Sequence, residues 1–207
     1  VESLRHDLQQ LIEDPAAYLD DDRVEIRRLA ASLLGRAAAT PAAAAALAKM
    51  AGSDPAAAVR AAAAAALAST DDPTPLLALA PDEAPEVREA IAYALGEIGH
   101  RGAVPWLSEA AGGDADDGVR EGAVAALGAI GDDSCLPLLI ELSSSAPPKV
   151  RRRAVVALSA FESAAALDAI KAARGDRNPM VKEVAEMVVG GGNAVDLPWP
   201  SSKPAAG

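Results

Sequence analysis

Apolar and polar positions recur with a single period along most of this chain. A branched apolar residue followed by a basic one appears six times, as Ile26-Arg27, Val59-Arg60, Val87-Arg88, Val119-Arg120, Val150-Arg151 and Val181-Lys182. The basic members stand 33, 28, 32, 31 and 31 residues apart. A spacing near thirty marks a stack of similar supersecondary units. Counted from the basic residue, position three is Ala30, Ala63, Ile91, Ala123, Ala154 and Ala185. Position six is Leu33, Ala66, Ala94, Ala126, Ala157 and Val188, and position seven is Leu34, Leu67, Leu95, Leu127, Leu158 and Val189. With the leading Val or Ile, these fall at i, i+4, i+7 and i+8, which is one face of an α-helix.

The breaks recur with the same period. Six residues before the basic step stands Asp21, Asp54, Asp82, Asp114 or Asp176, and Ser145 takes that place in the fifth unit. Asp and Ser there suit a turn or cap that opens a helix. Gly35, Gly96, Gly128 and Gly190 follow the apolar face, with Gly99 and Gly131 beyond two of them, as expected where helices end. A second helix precedes each of these. Its start is marked by Pro41, Pro75, Pro105 and Pro137, since proline costs little in a first helical turn. Leu4, Leu8 and Leu11 supply the first such helix, and Leu167 and Ile170 the last. The pattern predicts an all-α solenoid of about six helix pairs within residues 1–189. Residues 190–207 are Gly-, Pro- and Ser-rich and read as a tail. Trp199, set between prolines, either caps the last unit or docks on another protein.

The stretch from Asp82 to Gly99 and the stretch from Asp114 to Gly131 resemble HEAT repeats. More narrowly, they are similar to the HEAT-like repeats of the phycobilisome lyase group. That resemblance implies a right-handed superhelix in which the second helix of each pair lines the concave side. It also implies a scaffold, or an auxiliary subunit of a lyase that handles a prosthetic group.

Composition narrows the function. Apolar residues make up 51% of the chain but aromatics only 2%, so the core is built largely from alanine on closely spaced helices. A formal net charge of -11 opposes a general phosphate-binding surface and suits a protein partner, in particular a basic one. Cys135 is the single cysteine, so no internal disulfide can form and a cytoplasmic setting is expected. The chain opens with no charged-then-apolar signal segment, and its alanine runs are too short to span a bilayer.

No nucleophile elbow, phosphate loop or dinucleotide fingerprint is present. Neither catalysis, nor a cofactor, nor a metal is therefore expected. Cys135 lies at a helix start, where a thiol pKa can fall. Its aligned counterpart Ala103 favours an inert, packed thiol. The basic ladder is expected to tie neighbouring units together, each Arg reaching back to a turn Asp or to loop carbonyls. Function is then sought where units differ. Positions one, five and eight are expected opposite the buried stripe, and they nominate Glu89, Tyr93, Glu121, Arg152, Val156 and Met187 as a concave partner-binding face. Tyr93 would anchor a protein or peptide, and the carboxylates would select a basic one. The cluster Lys149, Arg151, Arg152 and Arg153 keeps nucleic-acid binding as a third reading. A monomer or a hetero-complex fits each.

Overall fold

The structure is a computed structural model that describes residues 9–37 and 40–190. Leu4, Leu8 and the tail with Trp199 lie outside the described residues. Among those described, the regular structure is helical and no strand occurs. Residues 9–13 are helical and belong to the first unit. The helices that follow are α1 (Val24–Ala37), α2 (Pro41–Ser53), α3 (Ala57–Ala66), α4 (Thr74–Leu79), α5 (Pro85–Ile98), α6 (Val104–Gly113), α7 (Asp117–Ile130), α8 (Leu136–Ser145), α9 (Pro148–Leu158), α10 (Ala164–Ala173) and α11 (Pro179–Val189). Short 3-10 turns at Leu67–Thr70, Arg101–Ala103 and Asp133–Cys135 link successive units.

The local causes are those the sequence implies. Pro41, Pro75, Pro105 and Pro137 stand at the first or second position of α2, α4, α6 and α8. Gly99 and Gly131 close α5 and α7 in the left-handed conformation, with φ of 69° and 64°. A side chain would be strained there.

The odd-numbered helices α1, α3, α5, α7, α9 and α11 carry the basic ladder. They pack side by side in one layer, each against the next. The even-numbered helices form a second layer, touching their own partners well and one another sparsely. The odd layer packs more closely than the even one and is called the inner layer below.

Gly35, Gly96 and Gly128 have a different role from the one the sequence suggests. They lie inside helices rather than at their ends. A Cβ on Gly35 would stand 2.6 Å from the Ala66 Cβ. On Gly96 it would stand 2.9 Å from the Cα of Ala126, and on Gly128 2.8 Å from the Cα of Ala157. These glycines let adjacent inner helices approach more closely than any side chain would permit. Between the layers, Val59, Val87, Val119, Val150 and Val181 are fully buried, as are Leu67, Leu95, Leu127 and Leu158.

The ladder is joinery, but it reaches forward. Arg27 binds Asp54 through Nε and Nη2 at 2.7 and 3.0 Å. Arg60 does the same to Asp82, Arg88 to Asp114 and Arg151 to Asp176, at 2.7–2.9 Å. Each carboxylate therefore belongs to the following unit. The remaining Nη1 donates to a carbonyl of the arginine's own turn, at Asp21, Asp54, Asp82 or Ala146. Each Asp also accepts a backbone N–H two residues on, at Ala56, Ala84, Asp116 or Asn178. One carboxylate thus fixes the turn that leads into its own inner helix and clasps the preceding unit. The guanidinium contact is the main reason why Asp54, Asp82, Asp114 and Asp176 are held below the ordinary carboxylate range.

One rung is missing. Arg120 donates from Nε to the Ala111 carbonyl at 3.1 Å and stands 3.8 Å from Asp117, within its own unit. The turn between α8 and α9 is shorter than the others, so Ala146, not Ser145, occupies the place of the clasping Asp. Ala146 is the residue that ends α8 and offers its carbonyl to Arg151. Two residues on stands Pro148, which has no N–H for an Asp to cap. Ser145 is exposed and bonds back to the Glu141 carbonyl.

Candidate functional site: the open face of the inner layer

Each inner helix is covered on one side by its outer partner and on its flanks by inner neighbours. The surface left open carries Glu86, Glu97, Lys149 and Ser159, all exposed, together with half-buried Tyr93 and Arg152. Tyr93 stands one turn before Glu97. Partial burial, with the Glu97 charge adding to it, raises its phenol pKa, so the hydroxyl stays neutral.

The six residues nominated by sequence divide into two groups. Tyr93, Arg152 and Val156 are half-buried on the inner layer, and Met187 is exposed on the last inner helix. Glu89 lies against the start of α7, where a Cβ on Gly118 would sit 3.4 Å from its carboxylate. Glu121 departs from the expectation. It is 4% exposed, and its carboxylate is engaged by the next unit. Arg152 and Arg153 each reach Oε1 at 3.3 Å, and Lys149 lies 3.7 Å from Oε2. The physical reason lies in the layer geometry. Position one of α5 and of α7 faces the following inner helix, because solenoid neighbours flank it. A helical wheel drawn for an isolated helix places the same position toward solvent.

Lys149 and Arg153 are functional candidates absent from the nominated set. The visible signal was the run Lys149-Val150-Arg151-Arg152-Arg153, the densest basic stretch in an acidic chain. This cluster fills the junction of α7 with α9, the same junction that lacks the Arg–Asp rung. Glu121 and Arg153 are both buried there and act as the replacement clasp. The side chains of Lys149 and Arg152 retain 61% and 29% exposure.

Cys135 is buried at the start of α8, and its thiol donates to the Asp132 carbonyl. Burial, with the nearby Asp132 charge, pushes its pKa up to about 11, which leaves a protonated and unreactive group. Among the described residues, no group of His, Cys, Asp and Glu is placed to hold a metal ion. No described helix is long and apolar enough to cross a membrane.

The pattern of the HEAT-repeat family matches residues 73–147 and 113–190, together more than half of the chain. The chain belongs to the HEAT-repeat family. No curated protein matches it. Among solved structures it is similar to the CpcE–CpcF complex of phycocyanin lyase from Nostoc sp. PCC7120, at 21% identity and a TM-score of 0.64. That match covers 86% of this chain and 76% of the other. It is similar to YIBA_ECOLI at 20% identity and a TM-score of 0.65, covering 87% and 71%. A designed armadillo repeat protein matches at 18% identity and a TM-score of 0.58, covering 87% and 98%. At such identities the likeness is one of fold. This HEAT-repeat chain shares the stacked helix-pair architecture, and the ladder is its way of fastening the stack.

Proposed function

We propose that this HEAT-repeat protein is a non-catalytic scaffold that holds a partner protein or peptide on the open face of its inner helices, with Tyr93 as the anchor. The observation that carries this reading is Tyr93 itself. An aromatic ring stands half-buried on the open layer of a chain with almost no aromatics, at a position where the second unit has Ala65 and the fourth has Ala125. Half-buried aromatics lose their remaining water at modest entropic cost, which is why they recur at interface centres. Arg152, Val156 and Met187 extend the surface toward the last unit. The expectation of a basic partner rested on the net charge of -11 and on Glu89 and Glu121, and with Glu121 engaged by Arg152 and Arg153 that carboxylate contributes less to it.

The test is capture of partners from native lysate on immobilised protein, comparing wild type with Tyr93→Ala and with Glu109→Ala on the outer layer. Tyr93→Ala should lower the recovered partner while Glu109→Ala does not, at unchanged helicity by circular dichroism. Equal recovery by all three proteins refutes the anchor. The similarity to the CpcE–CpcF pair supports association with another protein, and it also motivates an auxiliary role in a lyase system. Incubating the purified protein with a free tetrapyrrole and recording its absorbance tests that second role. A spectrum identical to free pigment removes it.

A further inference from the structure

We infer that the start of α9 is a docking surface for an acidic protein segment, whose carboxylates pair with Lys149 and Arg152. This rests on the scaffold reading above and names the chemistry of the partner.

The first two turns of α9 read Pro148-Lys149-Val150-Arg151-Arg152-Arg153, with four cations and no acid. A helix N-terminus carries the positive end of the backbone dipole and favours anions. Three other inner helices place an acid in their first turn, α1 with Glu25, α5 with Glu86 and α7 with Asp117, and no other inner helix opens with more than two cations. In a chain of net charge -11, cations have thus gathered where the helix itself disfavours them.

Among the described residues, the carboxylates near this cluster hold its cations unevenly. Asp176 is taken by Arg151 in a close bidentate pair at 2.8 Å. Glu121 stands near the other three, at 3.3, 3.3 and 3.7 Å. Charge-assisted bonds of this kind normally close to about 2.7–2.9 Å. One carboxylate shared three ways is loosely held by each cation. Arg153 is buried with Glu121 and belongs to the clasp. Lys149 and Arg152 point partly into water on the open face and have capacity to spare.

The rest of the open face selects among anionic partners. Two units earlier it carries Glu86 and Glu97, both exposed. A nucleic acid laid along the layer would meet those carboxylates and the net negative charge of the chain. A short acidic peptide needs only the α9 junction. Opposite charge over one turn, with like charge beyond it, also fixes the register of such a peptide.

Fluorescence anisotropy with a labelled peptide of alternating Glu and Gly tests this, alongside its Lys counterpart and a single-stranded oligodeoxynucleotide of equal charge number. The acidic peptide should bind, and more weakly as salt shortens the Debye length. The double variant Lys149→Glu/Arg152→Glu should weaken that binding by about tenfold or more, and Lys149→Gln/Arg152→Gln by less. Arg28→Glu, an exposed change on α1, should leave it unaltered. Circular dichroism guards against unfolding, and the Gln variant keeps the test decisive if the Glu variant misfolds. Failure of the acidic peptide to bind, equal loss with Arg28→Glu, or tighter binding of the oligonucleotide overturns the inference. The scaffold reading is tested separately through Tyr93, so a partner lost with Tyr93→Ala but indifferent to the α9 variants sinks only this proposal.

Discussion

Replacing Asp114 by Asn asks how much one rung of the ladder holds. Asn is nearly isosteric with Asp and keeps one oxygen, which can still accept the Asp116 N–H and one guanidinium donor. Its amide nitrogen must then face Arg88 Nε–H where a carboxylate oxygen now sits at 2.7 Å. A favourable charge-assisted bond becomes a donor–donor contact. The side chains of Arg88 and Asp114 are 18% and 10% exposed, so water can relieve the orphaned guanidinium only in part. Hydrogen bonds to charged groups contribute about 1.5–3 kcal/mol, and breaking a buried pair costs about 3–5 kcal/mol. For this partly exposed rung we expect a loss of about 2–4 kcal/mol at neutral pH. Urea unfolding followed by circular dichroism measures it. A double-mutant cycle with Arg88→Met isolates the pair, with an expected coupling of about 1.5 kcal/mol or more. Arg120 with Asp117, 3.8 Å apart and half exposed on the Asp side, is the internal control and should couple by no more than about 0.5 kcal/mol. The pH dependence follows from the sign of the shift. Asp114 titrates lower in the folded chain than unfolded, so the rung stabilises fully above the unfolded value of about 3.9 and fades as pH falls through the lower folded value. The gap between wild type and Asp114→Asn should therefore close in strong acid. A coupling for Arg88 and Asp114 within about 0.5 kcal/mol of zero would refute the view that the ladder fastens the units.

Other outcomes follow from the same packing. Gly128→Ala gains up to about 1 kcal/mol of helix propensity but forces a Cβ to 2.8 Å from backbone, so a net loss is expected in thermal or urea unfolding. Adding Ala157→Gly should rescue it only partly, since the Ala157 Cα remains in the way; full rescue would show that the inner helices can separate. Cys135 should react with a thiol-directed reagent only under denaturing conditions, and rapid labelling of the native protein at neutral pH would contradict its burial. The second unit, α2 and α3, buries mainly methyl groups, so amides in the N-terminal third should exchange faster than those of α5 to α7. Equal protection by hydrogen-exchange mass spectrometry would count against that.

The unit boundaries, the helix starts at Pro41, Pro75, Pro105 and Pro137, and the closures at Gly99 and Gly131 were legible in the sequence because each is a local matter. Proline geometry and left-handed glycine depend on a few adjacent residues. The ladder was legible as a repeat, and its joinery as an expectation. Its direction was not, because a turn Asp before and a turn Asp after lie at nearly equal reach from each Arg. The candidate site was legible in part. Tyr93 stands on the open layer, as does the exposed edge of the Lys149–Arg153 run, but Glu121 does not.

The sequence by itself determined that this is a stack of helix pairs, since period, apolar face and breakers are properties of the chain read in order. Only the tertiary structure decided which polar residues meet. Gly128 became a contact point because Ala157 of the next unit presses on it, and Glu121 became a buried clasp because α9 brings three cations to it. Ala146 replaced Ser145 at the missing rung because one turn is shorter. The first two outcomes depend on a neighbour about thirty residues away, and the distance and angle to that neighbour are set by the stacking of layers.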